Sequence, residues 1–418
     1  MKISIIGMGY IGLPTAAVLA SSGMEVIGVD VNDKIIEIIN SGKIHIVEPD
    51  LEELVMEAIS TGKLLVRNTP ESADIFVITV PTPIKENKEP DLSYVEAAII
   101  SIAPFLKKGN LVILESTSPV GMTERCIELL MEKRPEFQYP EYGSEDNTED
   151  ISIAYSPERD LPGQIVRELV ENDRVIGGVS ELSAIKADNF YKLFVKGERL
   201  LTDSRTAELC KLVENSFRDV NIAYANELSL IADHLDIDIW KLIKLANHHP
   251  RVNILQPGPG VGGHCIAVDP WFIVDSAPEQ AKLIKQARVV NDAKPDFIIT
   301  KVNEAIKSLD KEVSELSISC LGLSFKPNID DLRESPALQV ATEISNIGFD
   351  YQYLVEPNIN YLPDEFLNKN CSLEQLDLSI EKSDIILVLV DHEEFRVLDK
   401  KKLLGKLIID TKGIWNSL

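Results

Sequence analysis

Short apolar strand candidates alternate with amphipathic helical patterns through the first 180 residues of the chain. The strand candidates are KISIIG, EVIGVD, IFVITV, LVILES and ISIAYS, and helical patterns such as SYVEAAIISIAPFL and TERCIELLMEK lie between them. This alternation predicts a parallel sheet that is covered by helices on both faces. The acidic, turn-rich stretch EYGSEDNTED at 141–150 is interpreted as a surface loop inside the same domain.

A second alternation begins near Ser317, and a long helical pattern precedes it. From about Thr202 to Asp236 the chain has no Gly or Pro, which predicts an unusually long helix that connects or pairs domains. The later strand candidates are SISCLGL, YQYLVEP, IILVLVDH and KLIID. The predicted fold class is therefore α/β, with two Rossmann-like doubly wound domains joined by a helical middle domain. We expect the three domains to span 1–200, 201–300 and 301–418.

The composition excludes several classes of function. The 418 residues are 44% apolar and carry a formal net charge of −25, and so acidic a surface repels nucleic acid and anionic membranes. No apolar stretch is long enough to span a membrane and the chain opens directly into a strand, so we expect a cytoplasmic protein. The five cysteines are scattered without zinc spacing, which indicates reduced thiols and no metal site.

The turn GMGYIG at 7–12 follows an apolar strand and opens a helix. Gly7, Gly9 and Gly12 permit a tight turn and the close approach of a pyrophosphate to the helix N-terminus. Asp30 ends the next strand, where a carboxylate accepts hydrogen bonds from ribose hydroxyls. No arginine follows Asp30 closely, so NAD is favoured over NADP as the cofactor. A plain strand-to-helix turn would have no need of Asp30.

A cysteine lies near the end of the glycine-rich loop QPGPGVGGHCIAVDP at 256–270. Cys265 follows two glycines and a histidine, and Asp269 comes four residues later. A thiolate beside a nicotinamide can add to an aldehyde, give up a second hydride and leave a thioester for water to cleave. From the pattern alone, a buried structural cysteine is an equally good interpretation.

The long helix carries a polar triplet, Lys211, Asn215 and Arg218, whose i, i+4, i+7 spacing places all three on one face. Such a triplet is usually a solvated stripe. Three acidic residues are interpreted as a separate polar stripe on this helix: Glu208, Glu214 and Asp219. A helix with two polar faces is expected to turn one of them toward a binding site.

At these residues the chain resembles the UDP-glucose/GDP-mannose dehydrogenase family over essentially its whole length. The matching segments are GMGYIG, PTP (81–83), ESTSPVG (115–121), SPER (156–159), AELCKLVENSFRDVNIAYANE (207–227), GPGVGGHC (258–265) and GLSFKPNIDDLRESPA (322–337). The resemblance implies an NAD-dependent four-electron oxidation of a UDP-sugar at C6, in polysaccharide biosynthesis. It also implies a homodimer or a higher homo-oligomer that pairs through the long helix.

The resemblance further implies roles for individual residues, with Cys265 as the nucleophile. The groups expected to move protons or activate water are Lys211, Asn215, Asp269, Glu158 and Thr117. The residues expected to contact NAD beyond the glycines are Tyr10, Ile11, Asp30, Thr82, Thr117 and Arg333. The residues expected to contact the UDP-sugar are Arg159, Asp160, Lys211, Asn215, Arg218, His249, Arg251, Gly262 and Lys326.

The sequence departs from the UDP-glucose enzymes of this family at three places. Pro162 stands where they usually have a second Glu, His264 replaces a Ser, and Arg159-Asp160 replaces apolar residues. These departures favour an N-acetylated sugar, and the surrounding segments resemble most the members that act on UDP-N-acetyl-D-mannosamine. UDP-GlcNAc, UDP-GalNAc and UDP-glucose remain open as substrates. A two-electron β-hydroxyacid dehydrogenase and a catalytically silent NAD-binding sensor are the alternative functions.

Overall fold

The computed structural model describes residues 1–143, 148–160 and 163–415. The chain divides into two compact units, Met1–Glu214 with Trp271–Ser276, and Asn215–Pro270 with Ala277–Leu418. Part of the predicted acidic loop and Pro162 lie outside the described residues. The predicted three-domain boundaries near 200 and 300 stay a prediction.

The first unit is built on an eight-stranded sheet. Its strands are β1 (Lys2–Ile6), β2 (Glu25–Val29), β3 (Leu64–Arg67), β4 (Ile75–Ile78), β5 (Leu111–Leu114), β6 (Ser152–Tyr155), β7 (Arg174–Gly178) and β8 (Arg199–Asp203). They lie in the order β3-β2-β1-β4-β5-β6-β7-β8. The order of the first six is that of a dinucleotide-binding fold. The five predicted strands β1, β2, β4, β5 and β6 pair parallel, as expected, and β7, which was not predicted, pairs antiparallel with β6.

Helices cover both faces of this sheet, as predicted. They are α1 (Gly12–Ser21), α2 (Asp33–Asn40), α3 (Leu51–Ser60), α4 (Ser93–Ile102), α5 (Met122–Lys133), α6 (Ile165–Glu171) and α7 (Glu181–Tyr191). Side chains alternate across a strand, so neighbours in β1 enter different cores. Ile5 packs in the core that contains residues of α1 and α3, whereas Ile6 packs in the core that contains residues of α4 and α5.

A long helix follows β8 and begins a mostly helical stretch. The helices are α8 (Ser204–His234), α9 (Ile239–Ala246), α10 (Asp269–Ser276), α11 (Lys282–Asp292) and α12 (Lys294–Ser308). The observed bounds of α8 agree with the predicted span of about 202–236. Because α8 contains neither Gly nor Pro, nothing in its sequence interrupts the backbone hydrogen bonds between its turns.

Two of the three acidic residues that the sequence assigns to a separate polar stripe on α8 are buried. Glu208 is buried and accepts the backbone N–H groups of Gly121 and Thr123 (2.6 and 2.7 Å), which precede and open α5. Asp219 is also buried and pairs with Arg288 of α11 at 2.7 Å. The carboxylates of Glu208 and Asp219 therefore hold neighbouring helices in place, because a buried carboxylate needs partners of this kind.

The second unit contains a five-stranded, fully parallel sheet. Its strands are β9 (Ser317–Leu321), β10 (Tyr351–Val355), β11 (Cys371–Leu373), β12 (Ile385–Val388) and β13 (Leu407–Asp410). The remaining helices are α13 (Pro336–Ile344), α14 (Leu376–Lys382) and α15 (Glu393–Arg396), and short 3-10 helices lie at Ala103–Phe105, Val313–Glu315, Asp364–Phe366 and Lys400–Leu403. The strand order β11-β10-β9-β12-β13 repeats the Rossmann pattern, and the predicted fold class is confirmed.

Candidate active site

The glycine-rich turn after β1 has the shape that a bound pyrophosphate requires. Gly7 has φ of +98°, and a Cβ there would lie 2.8 Å from the carbonyl oxygen of Thr79. A Cβ on Gly12 would overlap the carbonyl oxygen of Gly7, whereas nothing lies within 4 Å of the Cβ position of Gly9. The turn is therefore tight at Gly7 and Gly12 and open at Gly9, where a phosphate can approach the backbone.

Asp30 lies directly beyond β2 and is half-buried. Its two carboxylate oxygens accept the backbone N–H groups of Met8 (3.0 Å) and Asn32 (2.9 Å). Because each carboxylate oxygen has a second lone pair, Asp30 keeps acceptor capacity for ribose hydroxyls. The same carboxylate thus shapes the glycine turn and presents the expected ribose contact.

Thr79 was not singled out by the sequence analysis. Its hydroxyl donates to the carbonyl oxygens of Ile6 (3.1 Å) and Gly7 (2.8 Å), which fixes the entrance to the turn. The available signal was its position immediately after the apolar strand that precedes the PTP motif. Thr82 and Thr117, the other predicted NAD contacts, are half-buried in the loops after β4 and β5.

The remaining predicted NAD contacts of the first unit open α1. Ile11 is the N-cap residue of the helix, and Tyr10 precedes it with 39% of its surface exposed. The loops after β4 and β5 are joined by Ser116, whose hydroxyl donates to the carbonyl oxygen of Val80 at 2.7 Å. The carboxyl ends of β1, β2, β4 and β5 thus bring the predicted cofactor residues of this unit to one edge of the sheet.

Asp30→Ala is expected to raise the KM for NAD about ten- to hundredfold, because a charge-assisted hydrogen bond contributes about 1.5–3 kcal/mol. The KM for the UDP-sugar should stay within about twofold, since no proposed sugar contact involves Asp30. Asp33→Ala, at an exposed carboxylate of α2, is the matched control. The KM for NAD is obtained from initial rates over a series of NAD concentrations. An unchanged KM for NAD in Asp30→Ala contradicts the assignment of Asp30 as a contact of the NAD ribose.

Lys211 is buried, with 6% of its surface exposed. Its ammonium group donates to the backbone oxygen of Glu158 at 2.6 Å and lies 3.3 Å from the Glu158 carboxylate. The structure therefore brings together two of the residues expected to act on protons or water. A buried lysine is retained in proteins when it is paired in this way, and it then offers a fixed cationic donor.

The two residues after Glu158 have different environments. Arg159 is exposed, and its guanidinium pairs with Glu214 at 2.7 Å and donates to the backbone oxygen of Asp173 at 3.1 Å. Asp160 is half-buried, and its backbone N–H donates to the Glu158 carboxylate at 2.6 Å. Arg159, a predicted sugar contact, therefore already has partners within its own unit.

A buried charge cluster that the sequence analysis did not find influences Asp160. Arg174 pairs with Glu115 at 2.9 Å, and the hydroxyl of Tyr191 donates to the same Glu115 oxygen at 2.6 Å. Burial raises the pKa of Asp160 to about 7; the charge of Arg174 opposes this shift and the carboxylates of Glu158 and Glu115 add to it. Asp160 therefore titrates near neutral pH.

Asp160→Asn is expected to stabilise the protein increasingly as pH rises from about 4 to about 7. The pKa of Asp160 is higher in the folded protein than the ordinary 3.8, so ionisation costs stability above that value and the cost is complete above about 7. Thermal melting of both proteins from pH 4 to 9 measures the effect. A difference in Tm that is independent of pH contradicts the raised pKa.

The glycine-rich loop of the second unit turns sharply into α10. Gly263 has φ of +80°, and the carbonyl oxygen of Cys265 accepts the N–H groups of Val268 (3.0 Å) and Asp269 (2.8 Å). Cys265 is half-buried and is not part of a disulfide. The loop thus presents the thiol one turn before a helix begins.

Asn215 and Asp269 lie together in the same unit. The Asn215 side-chain amide donates to the Asp269 carboxylate at 2.6 Å, and Asp269 is only 3% exposed. This contact joins α8 to the first residue of α10, so two predicted members of the proton network share a hydrogen bond. Arg218, on the next turn of α8, is exposed.

The glycine-rich loop that contains Cys265, here called the cysteine loop, packs on the segment that follows β9. Gly263 N donates to the carbonyl oxygen of Arg333 at 3.3 Å, and a Cβ on Gly263 would lie 3.0 Å from the ring of Phe325. A Cβ on Gly262 would overlap the carbonyl oxygen of Glu334, so both glycines are needed for this approach. Because no side chain separates them, the loop and the segment support each other.

Four other predicted contacts, Lys326, Arg333, His249 and Arg251, lie in the second unit. Lys326 is half-buried with its ammonium 5.8 Å from the centre of the Phe325 ring, and the guanidinium of Arg333 binds the Asp331 carboxylate at 2.6 Å. The backbone N–H of Arg251 faces His249 Nδ1 at 3.3 Å in the exposed turn after α9. The side chains of His249 and Arg251 are exposed to solvent in this chain.

Two features were looked for among residues 1–143, 148–160 and 163–415: a helix that could span a membrane and a cluster of side chains that could bind a metal ion. No helix among those residues is both long enough and apolar enough to cross a bilayer. Nor do they contain a group of three or more His, Cys, Asp or Glu side chains arranged to hold a metal ion.

Comparison with known families matches three profiles along the chain. They are those of the UDP-glucose/GDP-mannose dehydrogenase family: the NAD binding domain at residues 1–195, the central domain at 205–293 and the UDP binding domain at 319–417. Together they span the glycine-rich turn, the long helix with the cysteine loop, and the segment that contains Lys326.

Individual relatives match at full length. The UDP-N-acetyl-D-mannosamine dehydrogenase of Escherichia coli K12 is 55% identical over 99% of both chains. The NDP-N-acetyl-D-galactosaminuronic acid dehydrogenase of Ralstonia nicotianae is 54% identical over 99% of this chain and 96% of the relative. The solved structure of UDP-D-ManNAc dehydrogenase from Pyrococcus horikoshii superposes with a TM-score of 0.88 at 39% identity, covering 99% of this chain and 96% of that one.

Proposed function

Since the chain belongs to the UDP-glucose/GDP-mannose dehydrogenase family, we propose that it oxidises UDP-N-acetyl-D-mannosamine at C6 to UDP-N-acetyl-D-mannosaminuronate. It is an NAD-dependent enzyme of that family, and the substrate is the part that we propose. The observation that carries the proposal is the match, over 99% of the chain, to the UDP-N-acetyl-D-mannosamine dehydrogenase of Escherichia coli K12. A nucleotide sugar also agrees with the match of residues 319–417 to the UDP binding domain.

The first unit has the groups that the cofactor needs. Gly9 leaves space at the helix N-terminus for the pyrophosphate, and Asp30 offers acceptors for the ribose hydroxyls. NAD+, when bound, supplies the acceptor for hydride. Tyr10, Ile11, Thr82 and Thr117 are the further proposed contacts of this unit, and Arg333 is the proposed contact of the second unit.

We propose Cys265 as the covalent nucleophile. The thiolate would add to the carbonyl carbon of the aldehyde that the first oxidation of the C6 alcohol gives, and protonation of the oxygen would complete a thiohemiacetal. Transfer of hydride from that carbon to a second NAD+, with release of the hydroxyl proton, would give a thioester. Attack of water on the thioester then releases the acid and returns the thiol. The position of Cys265 supports this role, because the residue is half-buried and follows two glycines at a turn that opens α10.

Lys211, Asn215 and Asp269 are proposed to handle the proton and the developing oxyanion. Fixed donors stabilise negative charge on oxygen best when they are already oriented before the reaction. Lys211, oriented by Glu158, is a pre-positioned donor for the oxyanion, and the Asp269 carboxylate, oriented by Asn215, is a pre-positioned acceptor for the proton. We propose Glu158, with Thr117, as the group that orients the hydrolytic water.

A homodimer through α8 is also proposed. Phe217, Tyr224 and Ile231 are spaced seven residues apart on the helix and are 70%, 55% and 46% exposed. An apolar row with this spacing lies along one face of a helix and is typical of a surface that pairs with another helix. Light scattering after gel filtration is expected to give the dimer mass, and Tyr224→Glu the monomer mass. A monomeric wild-type protein contradicts the proposal.

The substrate proposal is tested with a panel of UDP-sugars. UDP-ManNAc, UDP-GlcNAc, UDP-GalNAc and UDP-glucose are each incubated with enzyme and NAD+, with NADH read by absorbance and the product by mass. UDP-ManNAc should give the fastest NADH formation and a product that bears a carboxylate at C6. If none of the four UDP-sugars is oxidised, the proposed function is excluded. The cytoplasmic location that the sequence predicts is not tested by this experiment and remains a prediction.

A further inference from the structure

The turn after β1 is held by a small set of backbone contacts around Asp30. Gly7 N donates to Val29 O at 2.8 Å, which joins the ends of β1 and β2. Met8 N donates to one oxygen of Asp30 and Asn32 N to the other, at 3.0 and 2.9 Å. A carboxylate immediately beyond the second strand therefore fixes the turn that follows the first.

The second unit repeats this arrangement residue for residue. Gly322 N donates to Val355 O at 2.8 Å, joining the ends of β9 and β10. Leu323 N donates to one oxygen of Glu356 at 2.8 Å, and Asn358 N donates to the other at 3.2 Å. Glu356 thus occupies the position in the second unit that Asp30 occupies in the first.

The Glu356 carboxylate is more deeply buried than that of Asp30 and has a histidine beside it. Asp30 is half-buried, whereas Glu356 is 3% exposed and lies 3.0 Å from Nε2 of His392, which is itself 1% exposed. The backbone N–H of Asn328 points at Nδ1 of His392 (3.0 Å), so Nδ1 carries no proton and Nε2 donates to Glu356. His392 therefore takes the acceptor site that a ribose would need.

The Glu356 carboxylate stays ionised. Burial alone would raise its pKa, but hydrogen bonds from His392 and from the N–H groups of Leu323 and Ser324 hold the pKa below its ordinary value. A buried carboxylate with this many donors is a rigid centre, because loss of any one donor leaves a charge without compensation.

This centre fixes both ends of the 323–328 segment. Its first two N–H groups bind Glu356, and its last residue is bound through the N–H to His392 and through the side chain to Glu393 N at 3.1 Å. Between these ends lie Lys326 and Phe325, and the Phe325 ring packs against the position of Gly263 in the cysteine loop. Glu356 and His392 thus hold in place the segment that contains Phe325 and Lys326.

We propose that Glu356 and His392 are positioning residues for the UDP-sugar site, which hold the 323–328 segment so that Lys326 meets the diphosphate. The inference rests on the proposed function for the role of Lys326. In the first unit the acid after the second strand faces the nucleotide; in the second unit the equivalent acid and its histidine arrange the loop. Neither residue touches the reacting atoms.

The test uses the full-length enzyme with UDP alone as the probe. His392→Ala is expected to raise the Kd for UDP about tenfold or more and to leave the KM for NAD within about twofold, because the buried Glu356 loses a donor and the loop loses its anchor. His392→Gln retains a donor toward Glu356, and His392→Asn retains an acceptor for Asn328. Each should bind UDP more tightly than His392→Ala does.

Gln352→Met provides the matched control. Gln352 is buried in β10, and its side-chain amide donates to the carbonyl oxygen of Ala341 (2.8 Å), away from the 323–328 segment. The Gln352→Met substitution should lower the Tm of the protein without weakening UDP binding. Unchanged UDP binding in His392→Ala, equal losses for UDP and NAD, or a similar UDP loss in Gln352→Met each overturns the inference. If UDP binding behaves as expected but wild-type enzyme oxidises no UDP-sugar, the proposed function fails and the positioning role stands.

Discussion

Replacement of Cys265 by Ala is expected to lower turnover of the UDP-sugar to the acid by about a thousandfold or more. The reason is chemical: without the thiol no thioester forms, and the aldehyde stage has no covalent route to the acid. Binding of NAD and UDP should stay within about twofold, because the loop backbone that turns into α10 is made by N–H and C=O groups that Ala retains. Steady-state NADH formation and UDP titration measure the two effects.

Cys371→Ala is the control for this experiment. Cys371 is half-buried in the same unit, and its sulfur lies 3.9 Å from the carbonyl oxygen of Phe366 rather than in the glycine-rich loop. It should retain wild-type turnover. Full activity of Cys265→Ala, or recovery of a labelled thioester on another cysteine, removes Cys265 from the proposed mechanism.

UDP-N-acetyl-D-mannosamine is expected to exceed UDP-glucose in kcat/KM by about four orders of magnitude. A site that hydrogen-bonds the N-acetyl amide is left with unpaired polar groups when glucose binds, and such a mismatch discriminates by about 10^4. The residues that the resemblance to the mannosamine enzymes singles out for this preference include Arg159, Asp160, His249, Arg251 and His264. The backbone N–H of Asp160 donates to Glu158, and burial raises the pKa of Asp160 to about 7.

The comparison is made at saturating NAD+, with UDP-GalNAc included because one full-length relative is named for an N-acetylgalactosaminuronic acid. A preference for UDP-GalNAc moves the assignment to that substrate. Comparable kcat/KM values for UDP-ManNAc and UDP-glucose show that these residues do not distinguish an N-acetyl group from a hydroxyl.

The sequence predicts nine of the thirteen strands of the described residues and misses β3, β7, β8 and β11. Strands such as β1 and β12 are continuous apolar runs with almost every residue buried, so composition alone identifies them. Of the missed strands, β8 lies at a sheet edge and has no buried residue, β11 lies at a sheet edge and has only three residues, and the buried β7 ends in two glycines. These strands form because a neighbouring strand offers hydrogen-bond partners, and that information does not lie in the local sequence.

The site shows the same division. The glycine turn and Asp30 could be predicted because their function requires particular residue types at fixed offsets. The contact of Asn215 with Asp269 and the burial of Glu208 could not, because they depend on which distant segments the fold brings together. Glu356 and His392 were missed for a related reason: neither belongs to a recognisable motif. Their contact forms only when the residue that follows β10 and the segment that follows β12 lie together at the carboxyl ends of the strands.

The yield of NADH from a limiting amount of sugar shows whether the enzyme removes four electrons from C6. UDP-N-acetyl-D-mannosamine is supplied at known concentration with excess NAD+, the reaction is run to completion, and NADH is determined by absorbance beside the mass of the product. Oxidation of an alcohol to a carboxylate removes four electrons, so the account predicts two NADH per sugar and a uronic acid product. One NADH per sugar with an aldehyde or ketone product contradicts it.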